Sequence, residues 1–466
     1  MPVHRLLGLA LISAFLLACG EDEKEAPPCD PVANTGCDAG LVCEATAAGG
    51  SLCAAPVVLT GSVFPISVDA PVENARVVAL DVNGAPVSTV TTTDAEGLWE
   101  LPIPHTRNDD GTPVGRRLTL RVDAPGFQTF PSGIRQALPL DTAAAVERGG
   151  RFVVDNALTH VRLVPLPEGA GRGTIVGRVD LPDDRPGVLV VAEKDGAGFS
   201  GIADRDGNYA IFNLSAGTYS VAGYTRGVSF ERTTAEVADD PGASTTADLA
   251  RGGEATASLS GKVSIVNPGR GKATSIILVV ESLFDEINLR GESPPGLRAP
   301  RAGLEPDVTG AFTIDGIPAG SYVVLAAFEN DFLVRDPDTT IGGTTILRQT
   351  LAPGQNLTLA ESFKITGALD FLPPLGLEPL GVTAAPTISW EDDSSEDAYE
   401  LVVYDALGEE VWRHTEPGHS GSDPAVPYGG PLQPGMYYQA KIRSLKSGTP
   451  ISQTEDLAGI FHVLRE

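Results

Sequence analysis

The fold is decided by a stretch of sequence that the chain uses twice. ADRDGNYAIFNLSAGTYSVAG (203–223) is matched by GAFTIDGIPAGSYVVLA (310–326), and the two glycines of each copy, Gly207 with Gly217 and Gly310 with Gly320, are ten residues apart. Apolar and polar residues alternate on both sides of LSAG and IPAG, which is the period of a half-buried strand. We predict that each copy forms two strands, joined as a hairpin by its Gly-containing turn.

The acidic start of the first copy raises the question of a calcium loop. An EF-type loop beginning at Asp204 needs Gly at its sixth position and Glu at its twelfth, and those positions hold Tyr209 and Ser215. The second copy replaces the inner acidic residue with Thr309. We therefore predict a turn here, in which Gly207 gives the backbone the freedom to reverse.

Two further strands precede each copy, so that each unit has at least four strands. A strand of the form G-x-V begins at Gly177 and again at Gly261, and continuous apolar strands, VLVVAE and IILVVE, begin at Val188 and Ile276. A looser version of the same order runs from GSVFPI (61–66) to LTLRVDAPGFQTF (118–130). Short strands separated by turns predict an all-β chain of tandem small β-sandwiches.

These motifs resemble the carboxypeptidase regulatory-like domain, a transthyretin-like sandwich of seven strands that is also classed with carbohydrate-binding-like folds. The resemblance implies three such sandwiches, at residues 56–167, 173–253 and 254–366. The first is the most divergent, because LPIPHTRNDDGTP stands in place of the P-A-G-x-Y turn. The third carries a long insertion, 281–307, for which we consider two roles, a loop that contacts a partner and a disordered excursion.

The C-terminal part resembles a different family. A proline-containing stretch, ALDFLPPLGLEPLG (368–381), is predicted to be a linker without regular strand pairing. Residues 382–466 resemble a fibronectin type III domain, with Trp390 at the position of the family's core tryptophan. The turn and the tyrosine-bearing strand of that family are matched by Leu432, Pro434, Gly435 and Tyr437.

The N-terminus has the features of a secretion signal. His4 and Arg5 precede an apolar run of about a dozen residues, which is too short to span a bilayer as a helix. The run ends in LLAC, which resembles the lipobox of bacterial lipoproteins. This implies that residues 1–18 are a lipoprotein signal peptide and that Cys19 is lipidated; the alternative is an ordinary cleaved signal with an incidental cysteine.

The predicted anchor also suggests where the protein resides. No Asp follows Cys19, so the resemblance favours the outer membrane or the cell surface over retention at an inner membrane. GEDEKEAPP (20–28) then serves as a charged tether between the lipid and the folded part. More than one acyl chain gives stable membrane attachment.

The remaining four cysteines, Cys29, Cys37, Cys43 and Cys53, fall close together within the segment 19–55. Such a segment is too small for its own core, and an even number of cysteines in an exported protein predicts two disulfides. Their order is similar to small cysteine-rich modules of bacterial surface lipoproteins, and three connectivities are possible. A zinc site is the alternative, but the spacings lack a C-x₂₋₄-C pair.

The charge and the motifs of the chain argue against several classes of function. The chain has 61 acidic and 33 basic residues and a formal charge of −28, which repels phosphate backbones and argues against nucleic-acid binding. None of its six His residues has a Glu three positions later, so an H-x-x-E zinc motif is lacking. GHSGS (418–422) has Ser422 where a G-x-S-x-G elbow needs Gly. His414 and His419 are close in HTEPGH, which we interpret as a solvated loop.

We therefore predict a protein that is not an enzyme and has no cofactor, no metal and no catalytic residue. Two functions remain. The first is a surface lipoprotein with a structural, adhesive or protein-binding role, attached to the membrane by its anchor and contacting envelope proteins. The alternative is a carbohydrate-binding lipoprotein that stacks polysaccharide on exposed aromatics, for which Trp99, Trp412 and Tyr428 are the candidates.

Overall fold

The computed structural model confirms an all-β chain of tandem sandwiches. It describes residues 29–31, 34–66, 70–81, 86–131, 138–181, 187–238, 240, 242–266, 275–286, 290–300, 308, 310–327, 333–335, 346–366, 369–376, 378–393, 395–419, 421–454 and 458–464. The predicted signal peptide, Cys19 and the tether lie outside these residues. Within them the only helical elements are three 3₁₀ turns, Thr142–Ala144, Ala157–Thr159 and Glu281–Leu283. None of the described helices is long and apolar enough to cross a membrane.

The cysteine-rich segment is a small hairpin held by two disulfides. Strands β1 (Val42–Ala45) and β2 (Ser51–Ala54) pair antiparallel. The disulfides join Cys29 to Cys43 and Cys37 to Cys53. This is one of the three connectivities that the sequence left open.

The first sandwich has two facing sheets. In one, β3 is at the centre and pairs antiparallel with β6 and parallel with β10 and β11, while β9 pairs with β10; the other has the order β5-β4-β7-β8. The strands are β3 (Val57–Pro65), β4 (Arg76–Leu80), β5 (Thr91–Thr92), β6 (Leu98–Ile103), β7 (Arg117–Asp123), β8 (Leu140–Asp141), β9 (Val146–Arg148), β10 (Arg151–Val154) and β11 (His160–Leu163).

The second sandwich repeats this plan. One sheet has the order β15-β12-β19, and the other has the order β14-β13-β16-β17-β20 with β18 also paired to β16. The strands are β12 (Gly173–Arg178), β13 (Val188–Lys194), β14 (Ala197–Ala203), β15 (Asn208–Leu214), β16 (Gly217–Thr225), β17 (Val228–Phe230), β18 (Thr233–Val237), β19 (Ser244–Thr246) and β20 (Arg251–Glu254).

The third sandwich follows the same pairing. Strand β21 pairs antiparallel with β25 and parallel with β29 and β30, the facing sheet has the order β24-β22-β26-β28, and β23 pairs with β27. The strands are β21 (Ala257–Val266), β22 (Ser275–Val280), β23 (Arg290–Glu292), β24 (Arg298–Ala299), β25 (Gly310–Ile317), β26 (Gly320–Ala327), β27 (Leu333–Arg335), β28 (Leu347–Leu351), β29 (Asn356–Thr358) and β30 (Phe363–Thr366).

The predicted hairpins at LSAG and IPAG are wrong. Strand β15 pairs with β12, whereas β16 pairs with β13 in the opposite sheet, and β25 and β26 are separated in the same way. The turn therefore crosses from one sheet to the other. Apolar and polar residues alternate in both strands because each strand presents one face to the core between the two sheets. Two strands of one hairpin would show the same alternation, so the sequence pattern cannot distinguish the two arrangements.

Packing explains the glycine of the G-x-V strand in all three sandwiches. Its glycine lies directly opposite the aromatic residue of the strand that pairs with it. A Cβ on the glycine would approach a ring carbon of that aromatic to 2.7 or 2.8 Å, so only glycine leaves room for the ring. The pairs are Gly61 with Trp99, Gly177 with Tyr209, and Gly261 with Phe312.

The C-terminal sandwich includes part of the predicted linker. Strands β31 and β32 lie within 368–382 and pair with β33 and β39, so this stretch joins the sandwich because Leu369 and Leu375 are buried in its core. The strands are β31 (Phe371–Leu372), β32 (Leu380–Val382), β33 (Thr387–Trp390), β34 (Ala398–Asp405), β35 (Glu410–Pro417), β36 (Ala425–Pro427), β37 (Tyr437–Lys446), β38 (Thr449–Gln453) and β39 (Ile460–Val463).

Candidate functional site at the seam between the sandwiches

The first three sandwiches meet at a seam of buried apolar residues, which we call the seam. Strand β13 begins with five apolar residues, 188–192, because both of its faces are buried there. Val188 and Val190 point into the core of the second sandwich, whereas Leu189 and Val191 point into a core shared with its neighbours. The members of this shared core that come from the first and second sandwiches are Val78, Leu80, Leu189, Val191, Ile202, Ala222 and Tyr224. They pack against the core of the third sandwich.

A buried arginine joins three segments at this seam. Arg121 of β7 is 1% exposed, and its guanidinium donates to both carboxylate oxygens of Asp123, from Nε at 2.8 Å and from Nη2 at 3.1 Å. Its Nη1 pairs with Glu292, and its Nη2 lies 3.3 Å from the carbonyl oxygen of Ser200 in the second sandwich. The hydroxyl of Ser200 donates to Glu292 as well. A buried cation with several partners fixes the relative position of the elements that hold them.

The turn at Asp204 also belongs to the seam. Its Oδ1 accepts hydrogen bonds from the backbone N–H groups of Asp206 and Asn208, at 3.0 and 2.9 Å, which shapes the turn. Its Oδ2 accepts a hydrogen bond from the backbone N–H of Val90 in the first sandwich, at 3.2 Å. The structure thus confirms the predicted turn and gives its first residue a second task, the contact between sandwiches.

The second and third sandwiches are joined by further contacts. The rings of Tyr224 and Tyr322 pack edge to face with centroids 6.2 Å apart. The guanidinium Nε of Arg226 donates to Asp315 Oδ1 at 2.8 Å, and the backbone N–H of Gly227 donates to the carbonyl of Gly316 at 2.7 Å. Burial raises the pKa of Tyr224 to about 12.

The described part of the insertion 281–307 is ordered and packs against the seam, so the prediction of a disordered excursion is wrong for that part, whereas contact with a partner stays a prediction. Leu297, Arg298 and Ala299 are buried, and the Nη2 of Arg298 donates to the hydroxyl of Ser275 at 2.6 Å. Burial lowers the pKa of Arg298 to about 10. The polar composition suggested an exposed loop, but its apolar residues fill a gap between sandwiches.

A polar cleft of about 520 Å³ opens beside the seam, between the second and third sandwiches. Its charged side chains are paired with one another. Arg232 bonds to Glu193 at 3.1 Å and to the Tyr224 hydroxyl at 2.9 Å, while Arg348 pairs with Glu281 at 3.3 Å. The cleft can offer hydrogen bonds to a polar ligand. Phe284 is the one described side chain of its lining, besides Tyr224, that has an aromatic ring.

The aromatics expected to be exposed are mostly buried. Trp99 is 5% exposed and Tyr428 is 3% exposed, since each fills the core of its own sandwich. Trp412 is half-buried and packs edge to face on Tyr428. Trp99 and Tyr428 therefore supply no surface on which a sugar ring could stack.

The cysteine-rich hairpin docks on the first sandwich through a buried ion pair. Arg107 is fully buried and pairs through Nε with Glu44 of β1; its Nη2 donates to the carbonyl of Ala55 at 2.6 Å. Burial raises the pKa of Glu44, and Arg107 opposes that effect. The sulfurs of Cys29, Cys37 and Cys53 are close enough to resemble a metal site, but all three are in disulfides.

One serine, histidine and aspartate group resembles hydrolase machinery. Ser62 Oγ lies 2.9 Å from Nδ1 of His160, whose Nε2 lies 3.5 Å from Asp155. Ser62 is in the middle of β3, between β6 and β11, where its backbone belongs to the sheet and not to a strand-to-helix turn. The cavity beside His160 has a volume of only about 10 Å³, whereas ligand pockets typically have about 300–1,000 Å³.

The sequence missed the charged residues that join the modules. Arg121 and Arg107 look like ordinary surface residues in the sequence, because neighbours that bury them come from the other sandwiches for Arg121 and from the cysteine-rich hairpin for Arg107. One sequence signal for Arg121 was present. In LTLRVD (118–123) every second residue faces the core of the first sandwich, and Arg121 lies on the opposite face of the strand. In an isolated sandwich that face would be exposed to solvent.

Comparisons with known proteins do not identify the chain. No protein-family model and no curated protein matches it. Among solved structures, the Bacillus anthracis TIE protein aligns over 92% of this chain and 72% of its own length, with 13% identity and a TM-score of 0.16. The minor pilin of Streptococcus agalactiae aligns over 41% and 95%, with 14% identity and a TM-score of 0.19. The major pilin subunit of Bacillus cereus aligns over 66% and 99%, with 10% identity and a TM-score of 0.17. TM-scores this low decide neither the fold nor the function.

Proposed function

We propose that the chain is a non-enzymatic, lipid-anchored bacterial surface protein whose sandwiches have a structural, adhesive or protein-binding role. The observation that carries the proposal is the seam. Three sandwiches share one apolar core, and the Arg121 network crosses it. Sandwiches linked only by tethers would instead keep their outer faces polar.

A single body made from three sandwiches suits a structural or adhesive role. Its loops and sheet edges stay in fixed relative positions, so a partner can contact several modules at once without the entropy cost of ordering them. The charged groups described at the seam and in the cleft are engaged with one another, and such contacts fix the elements that carry them.

The proposed membrane attachment is supported by the sequence around Cys19 and by the segment that follows. Disulfides persist in oxidising compartments, which agrees with an exported protein. The acidic tether would hold the disulfide-bonded hairpin and the sandwiches away from the bilayer. Envelope proteins are the partners that we propose for this surface.

The anchor can be tested by metabolic labelling with an alkyne-tagged palmitate in a Gram-negative host. We expect label on the wild-type chain and its loss in Cys19→Ser, while Cys43→Ser, in the disulfide-bonded hairpin, keeps the label. External protease should digest the anchored protein on whole cells. Label that persists in Cys19→Ser would refute the anchor.

Carbohydrate binding is the second proposal, and the cleft beside Arg232 and Arg348 is what favours it. Sugar hydroxyls could replace the hydrogen bonds that its side chains now make with one another. A glycan array with the wild type and with Arg348→Ala tests it. Binding of one polysaccharide that the substitution abolishes would support it, whereas no bound glycan would reject it.

A further inference from the structure

The C-terminal sandwich brings two histidines to one carboxylate. His414 and Glu416 are two residues apart on β35 and so lie on the same face of the strand. Nε2 of His414 lies 3.0 Å from Oε2 of Glu416, and Nε2 of His419 lies 3.1 Å from Oε1. The sequence suggested only a solvated loop, because it did not show that Glu416 lies between the two rings.

The backbone after β35 is shaped to return His419 to this carboxylate. Gly418 donates its N–H to the carbonyl of Asp397 at 2.9 Å, and a Cβ at position 418 would lie 3.0 Å from that carbonyl. The turn is therefore close to the loop before β34. The backbone N–H of His419 donates to Glu396 Oε1 at 3.1 Å, which holds this residue in place.

Neighbouring side chains orient the donors. The ring of Trp412 is parallel to that of His414, with an interplanar angle of 2° and centroids 5.6 Å apart. The second carboxylate oxygen of Glu396 is buried and has no hydrogen-bond partner among the described residues. His414, Glu416 and His419 are 37%, 25% and 28% exposed in their side chains, so an ion can reach them from solvent.

We propose that His414, Glu416 and His419 form a binding site for a divalent transition-metal ion of the zinc type. Two imidazole nitrogens and a carboxylate oxygen are a donor set that Zn²⁺ accepts, with water in a fourth position. Bonds of about 2.0–2.2 Å in a tetrahedron place neighbouring ligand atoms about 3.3 Å apart. Each ring nitrogen has about that separation from one oxygen of Glu416, but one donor atom from each of the three residues cannot be chosen so that all lie within 4.8 Å of one another.

Binding requires the side chains to rearrange. A ring nitrogen that binds the metal carries no hydrogen, so each imidazole would bind through Nε2 as the tautomer with its N–H on Nδ1. The rings now lie against different oxygens of Glu416, so they must turn toward a single point.

Glu396 is a further carboxylate beside the site, because its Oε1 accepts the backbone N–H of His419. The described cysteines do not compete for the ion, because they form disulfides.

Calorimetric titration of the full chain with ZnCl₂, disulfides intact, tests the site. We expect one saturable equivalent at pH 7.5 and a dissociation constant raised at least about tenfold in His414→Ala, His419→Ala and Glu416→Gln, since even outer-shell changes cost about 10–100-fold. His160→Ala is the control, because His160 belongs to the first sandwich and is not one of the proposed ligands, so its loss should leave the affinity unchanged.

A second measurement separates loss of ligands from loss of fold. Co²⁺ should give the visible absorption of a low-symmetry site in the wild type and lose it in Glu416→Gln, while the circular dichroism of that variant matches the wild type. The absence of one saturable equivalent would overturn the proposal, and so would zinc affinity that all three substitutions leave unchanged.

Discussion

Gly177 lies directly opposite Tyr209 in the register of the second sandwich, and the tyrosine ring covers the glycine. A Cβ at Gly177 would lie 2.8 Å from Cε1 of the ring and 2.2 Å from the carbonyl oxygen of Ala247. The same relationship occurs in the first and third sandwiches. It explains physically why a G-x-V strand accompanies an aromatic strand in each repeat.

Gly177→Ala is predicted to destabilise the second sandwich by about 1–3 kcal/mol, because overpacking forces the ring or the β-ladder to shift. Denaturant unfolding followed by fluorescence measures the change. Gly376→Ala is the control: a Cβ there meets open space, so its effect should be within about 0.5 kcal/mol. Equal stability of the two variants would contradict the packing explanation.

Arg121→Met should be among the most damaging single changes. It leaves the carboxylates of Asp123 and Glu292 without their cation in a buried place, for which the cost is about 3–5 kcal/mol. Arg148→Met removes an exposed cation 4.0 Å from Asp155 and should cost less than about 1 kcal/mol. A chemical-denaturation midpoint that Arg121→Met leaves unchanged would show that the network does not hold the seam.

Buried His105 should contribute to the pH dependence of the free energy of unfolding. Its Nε2 lies 2.8 Å from Thr142 Oγ1, and burial lowers its pKa below the ordinary value. The unfolded chain then binds the proton more tightly than the folded one. Its contribution to stability is complete above about pH 6.5 and is lost as the pH falls from there toward the lowered folded-state pKa.

His105→Gln tests this sign. The variant should have a flatter stability profile over that pH range, measured by urea unfolding at a series of pH values. His462, whose pKa burial also lowers, contributes a parallel slope that remains in the variant. A wild-type chain that gains stability on acidification through this range would contradict the assignment.

The sequence predicted what depends on local pattern. The alternation of Tyr209 with Ile211 and the repeat spacing gave the all-β class and the core positions, because a strand presents every second side chain to one face. It could not give the strand partners of β15 and β16, because a hairpin and a crossing between sheets have the same alternation. The LSAG turn looks the same in both arrangements.

Contacts between sandwiches depend on residues that are far apart in the sequence. Arg121 meets Glu292 across 171 positions, and Asp204 meets Val90 across 114. No local pattern marks such pairs. The continuous apolar runs VLVVAE and IILVVE did carry the information that both faces of these strands are buried, although a single sandwich needs only one buried face.

Native-state hydrogen exchange across a denaturant series tests the central claim, that three sandwiches form one cooperative body. The claim predicts that slow amides of β4, β13 and β22 converge on one opening free energy, and that Leu189→Ala, in the shared core, lowers all three together. Three separate opening free energies, with Leu189→Ala affecting β13 alone, would contradict it.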